Sequence, residues 1–147
     1  MVPYRSRPPA RSFTTAPTLE EIEEIAGEAL ASIPEDFRRH TANVHIHVDD
    51  FPSEDVEKTM GLESPFDILG LYQGVSMAER SVDHVANDLD RIFLYRRPIL
   101  DYWCETGEDL IHVVRHVLIH EIGHHFGLSD EDMDAIEAQA EARTAGS

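Results

Sequence analysis

Apolar residues recur at helical spacing from Thr18 onward. Leu19, Ile22, Ile25, Ala26, Ala29 and Ile33 make one stripe, which Pro34 ends. Thr18 and Glu21 stand three apart, the spacing of a capping box that opens a helix. Asn43 to Val48 changes period to two: Val44, Ile46 and Val48 face one way, His45 and His47 the other, which predicts a strand. A short helix is predicted after Ser53, closing near Gly61. Two further strands are predicted at Phe66–Tyr72 and Arg91–Arg97, separated by a polar segment around Glu79–Asp90. A long helix follows from about Glu108 to Phe126, with Gly127 in the position of a helix-stopping glycine. A last helix from about Asp130 turns Met133, Ile136 and Ala140 inward. A helix, a few strands and two closing helices predict an α+β domain with a small mixed or antiparallel sheet packed beside the long helix.

Residues 1–17 carry four prolines and three arginines without periodicity, and are predicted to form a disordered leader. The organisation read from the pattern is that leader, a single domain over 18–143, and a tail at 144–147. A chain of 147 residues supports one core of ordinary size. Its single cysteine excludes a disulfide framework and a multi-cysteine zinc site, which predicts a reducing, cytoplasmic setting. No apolar run reaches membrane-spanning length.

Charge narrows the partners. The chain holds 12 Lys and Arg against 29 Asp and Glu, a formal net charge of −17. Arg5, Arg7 and Arg11 lie in the acid-free first 18 residues, so the body is more acidic still. Such a body repels phosphate backbones and anionic lipid, which opposes nucleic acid or membrane as a partner.

The long helix contains one residue that contradicts its own pattern. With each residue advancing roughly 100°, Val113, Val114, Val117 and Leu118 fall within about 80° of Leu110. Glu121 falls about 20° from Leu110, in the middle of this apolar stripe. A carboxylate there is desolvated at a cost of several kcal/mol unless something offsets it. His120 and His124 lie at the stripe's edge, about 40° apart and one turn from each other.

Metal chemistry resolves the conflict. His120-Glu121-Ile122-Gly123-His124 is a His-Glu-x-x-His motif. Histidines at i and i+4 can direct two nitrogens at one zinc ion, and the intervening glutamate is placed to act as general base. A catalytic zinc usually has three protein ligands, and Asp130 is the predicted third. His120 to Asp130 reads His-Glu-x-x-His-x-x-Gly-x-x-Asp, similar to the metzincin motif with aspartate in place of the last histidine. Ser129 with Glu131 and Asp132 also suits the first turn of the next helix, a role that competes for Asp130.

Other residues receive structural readings. His125 lies about 140° from His120 and cannot share its ion on a regular helix. It is read as a packing or supporting residue. His112 and His116 are placed on a polar arc with Arg115, facing solvent or hydrogen bonded. Tyr72 and Tyr95 are read as packing, Arg96 and Arg97 as ion-pair formers, Asp49 and Asp50 as a solvated loop. Cys104 is predicted to be a buried thiol beside Trp103, and Met133 a core residue.

Leu69–Gly74, Ile92–Pro98 and above all Val117–Leu128 resemble the small bacterial zincin-like metallopeptidases, the minimal zincins, over about residues 43–137. The resemblance implies a trimmed zincin domain with one zinc ion and a peptide or protein substrate. It implies His120 and His124 as ligands, Glu121 as base and Asp130 as third ligand. It also implies an edge strand at Phe66–Gly74 where an extended peptide could pair. The chain departs from metzincins in having only 17 residues after Asp130. The rival to a zinc peptidase is a non-catalytic, metal-stabilised module that recruits a peptide by edge-strand addition. A small metal-dependent ribonuclease is opposed by the charge and by Glu121.

Overall fold

The computed structural model describes residues 14–74 and 90–145. Helix α1 spans Leu19–Ser32 and opens as the capping box predicts. Thr18 Oγ1 accepts from the Glu21 N–H at 3.1 Å, and the Thr18 N–H donates to Glu21 Oε1 at 3.0 Å. Ile33, forced out of helical geometry by the proline that follows, ends it in extended backbone. Short α2 (Glu35–Arg38) and a 3-10 turn at Arg39–Thr41 lead into strand β1 (Val44–Asp49). Its half-buried and exposed residues alternate as the period of two requires. Helix α3 (Glu54–Met60) follows the Ser53 cap, whose hydroxyl accepts from the Val56 N–H at 3.2 Å.

Strand β2 covers only Gly70–Gln73, so the predicted strand at 66–72 is cut short at its start. The reason is local. Asp67 Oδ2 accepts from the Glu63 and Ser64 N–H groups at 2.9 and 3.1 Å, fixing a turn where alternating Phe66 and Ile68 suggested extension. Strand β3 (Asp90–Tyr95) begins and ends earlier than predicted. The chain then enters α4 (Arg96–Thr106), a helix the pattern did not reveal, with Pro98 in its first turn and Gly107 just past its end. Most of the polar segment 79–90 lies outside the described residues.

The sheet is mixed, in the order β1-β3-β2. β1 runs parallel to the central β3, with Ile46 opposite Ile92, and β2 runs antiparallel to it, with Tyr72 opposite Ile92. Helix α5 (Leu110–His125) lies at the centre of the molecule, against α1, α4, α6 and the sheet. Val113, Val114, Leu118, Ile119 and Ile122 are buried there beside Ile22, Ile25, Ala29, Ile92 and Leu94. Helix α6 (Asp130–Ala145) returns antiparallel to α5, and Met133 joins the core as predicted. No helix among the described residues is long and apolar enough to cross a membrane.

Several surface readings change. Arg115 is buried, not solvent-facing, because α1 crosses over it; its Nη1 donates to Ser32 Oγ at 3.3 Å. Cys104 is exposed rather than buried, on the outer side of α4. Asp50 is tied down: its Oδ1 lies 3.0 Å from Arg96 Nη1, and its carbonyl accepts from the Arg97 N–H. Arg96 Nε also donates to the carbonyl of buried Pro17 at 2.5 Å, so the last residue assigned to the leader packs on the body.

Candidate metal centre

The candidate site stands where α5 ends and α6 begins. Gly127, with φ of 75°, makes the reversal possible. Its N–H bonds to the His124 carbonyl at 3.2 Å, and the Leu128 N–H bonds to the Gly123 carbonyl at 2.9 Å. These two bonds form a Schellman motif, which closes the helix and satisfies its last carbonyls. α6 then starts on a cap of its own: Ser129 Oγ accepts from the Asp132 N–H at 3.1 Å, and Asp132 Oδ2 accepts from the Ser129 N–H at 3.4 Å. Asp132 is thus held in a capping box, leaving Asp130 as the acid that turns toward α5.

His120, His124 and Asp130 come together. Each offers one donor atom, and these atoms lie within 4.8 Å of one another. His124 Nε2 is 3.9 Å from Asp130 Oδ1. His120 Nε2 is buried and has no hydrogen-bond partner, a condition that costs free energy unless a ligand completes it. Two imidazoles, one of them with an orphaned nitrogen, and a carboxylate fit a divalent cation with zinc's ligand preferences. Burial lowers the pKa of His120, and neighbouring His116 lowers it further, against the pull of Glu137; the neutral, ligating form is favoured.

Glu121 leaves α5 toward the sheet. Its Oε1 accepts from the Tyr72 N–H on edge strand β2 at 3.1 Å. Desolvation by burial raises its pKa, while the Tyr72 bond and the nearby His124 hold it down. Tyr72 is itself fixed, since its hydroxyl donates to buried Asp90 at 2.7 Å and its ring stacks on His125 at 4.0 Å between centroids. His125 therefore packs, as its angle on the helix predicted. Tyr95 is buried, and burial with nearby Asp49 and Glu121 pushes its hydroxyl up to about 12.

The motif did not disclose the row of pairs between α5 and α6. His112 Nδ1 lies 2.7 Å from Glu141 Oε1, and His116 Nδ1 lies 2.5 Å from Glu137 Oε1. His116 also packs its ring against His120, with centroids 4.1 Å apart. The fourfold histidine spacing at 112, 116, 120 and 124 was a signal; its acidic partners become visible only when the helices fold back on each other.

The fold and this centre lead to a family. A family model described as zincin-like metallopeptidase matches residues 41–140, and the chain belongs to that family. A search of curated proteins finds no match.

Proposed function

We propose that the protein is a zinc-dependent peptidase, with His120, His124 and Asp130 as the metal ligands and Glu121 as the general base. The observation that carries this reading is the desolvated Glu121 carboxylate set between two histidines that converge on an acid from the next helix. Zinc, when bound, would supply Lewis-acid polarisation of a carbonyl and a bound water of lowered pKa. Glu121 would accept the proton, its raised pKa bringing it closer to the near-neutral range suited to a base. Asp90 and His125 would act as positioning residues, fixing Tyr72 and through its N–H the Glu121 carboxylate.

The acidic body favours a peptide substrate over a polyanion, and the lone cysteine fits a cytoplasmic setting. The Tyr72 N–H, a donor that an added strand would need at that point, is already bonded to Glu121. That bond weighs toward catalysis over a purely strand-recruiting module. Zinc analysis of the purified protein beside a peptide-library cleavage screen tests the proposal. One zinc per chain and metal-dependent cleavage are expected. A chain that binds zinc yet cleaves nothing would favour the binding-module reading.

A further inference from the structure

One turn nearer the start of α5 the donor pattern repeats. His116 and His120 have the same four-residue spacing as His120 and His124, and α6 again supplies a carboxylate, from Glu137. Donor atoms of His116, His120 and Glu137 lie within 4.8 Å of one another. Ligands around a tetrahedral zinc, each about 2.0–2.2 Å away, stand roughly 3.4 Å apart, a separation close to that of these donor atoms.

The two trios differ in enclosure. Beside the shared His120, the Glu137 side chain is 17% exposed and that of His116 46%, against 58% for His124 and 87% for Asp130. The orphaned His120 Nε2 stands 3.9 Å from Glu137 Oε2, too far for a hydrogen bond. A cation between them would complete both groups, and the poorer solvation there strengthens its attraction to the carboxylate.

We propose that His116, His120 and Glu137 form a second divalent-cation site, which competes with the His124–Asp130 side for His120. Competition follows from the imidazole, which when neutral has one nitrogen free to ligate. Two nitrogen donors and one carboxylate select zinc, cobalt or nickel over magnesium or calcium. A cation held there is drawn toward Glu137 and gives up His124 and Asp130. The inference shares His120 with the proposed peptidase centre but does not depend on peptidase activity.

The test is equilibrium dialysis of the full, metal-stripped chain against Zn2+, with folding followed by circular dichroism. His124→Ala/Asp130→Ala removes two exposed donors and leaves the second trio whole. This double variant is expected to bind one Zn2+ per chain, and adding His116→Ala or Glu137→Gln should weaken that binding at least tenfold. No binding by the double variant, or binding indifferent to both additions, overturns the proposal and leaves His116 and Glu137 as a hydrogen-bonded pair. Should the double variant not fold, Asp130→Asn with the same additions serves instead. His116→Ala alone separates this inference from the peptidase reading. If it keeps one Zn2+ while the double variant binds none, the second site fails and the first stands. If it loses Zn2+ while the double variant retains it, the second site stands and the first fails.

Discussion

Helix α5 has two flanks that could hardly be less alike. Against α1 it meets Ile22, Ile25, Ala26 and Ala29, all buried, in an apolar seam that also holds Arg115 bonded to Ser32. Against α6 it meets acids: Glu141 beside His112, Glu137 beside His116 and His120, Asp130 beside His124. The first flank removes apolar area from water, the dominant favourable contribution to folding. The second is half-solvated, and isolated polar pairs in such surroundings contribute little to stability. One helix thus divides its surface between holding the domain together and presenting donors. Substitutions on the two flanks should fail in different ways.

The largest expected effect lies where the flanks meet the sheet. Glu121→Gln keeps the shape and removes the carboxylate proposed as base, so turnover of a cleaved peptide should fall about 10²–10⁴-fold. Zinc content, measured on the same preparation, should remain at the wild-type level. On the apolar flank, Ile25→Ala should cost about 2–5 kcal/mol in urea unfolding, because the side chain is fully enclosed. The protein that remains folded should bind zinc as before; a loss of affinity would erase the division between the flanks.

On the polar flank the order reverses. Read in a His116→Ala background, where the second trio is broken, Asp130→Ala should weaken zinc affinity at least tenfold while barely changing stability, since the residue is exposed. Asp132→Ala should do the opposite, costing about 1 kcal/mol as the capping box is lost and leaving zinc affinity alone. Equal, small changes from both would return Asp130 to a helix-dipole role.

The gentlest test is pH. In the metal-free protein Glu121 has a pKa raised above its ordinary 4.5, so the folded chain keeps a proton that the unfolded chain has released. Its contribution is fully present below 4.5 and is lost as pH rises through the folded value. The stability of Glu121→Gln relative to wild type should therefore widen upward from pH 4.5 and then level off. His120 works in the other sense: its lowered pKa gives stability present above 6.5 and lost as pH falls through the folded value. Urea unfolding of the two metal-free proteins across this range gives the curve. A flat difference would mean that the Glu121 carboxylate is not desolvated.

Much of this was legible in the chain. α1, β1, α3, α5 and α6 announce themselves through unbroken periods and through Thr18, Ser53 and Gly127 at their ends. Glu121 stood out because one carboxylate interrupted an apolar stripe. α4 escaped because Ile92-Phe-Leu-Tyr runs without a break into Arg96, and the strand signal masked the start signal at Pro98. β2 starts later than predicted because Asp67 binds the backbone ahead of it into a turn. Arg115 and Glu137 were illegible for a deeper reason. What each touches depends on how separate helices cross, and helical period within one segment carries no information about that register.

Gly123 and Met133 join the two halves of the comparison. A Cβ on Gly123 would run into the Met133 sulfur, so the missing methyl group leaves the room that this buried α6 side chain fills against α5. An added methyl group would first displace the flexible end of the Met133 side chain, inside a core already closed around it. The fit of α6 against α5 is in this sense written partly in an atom the domain does not have.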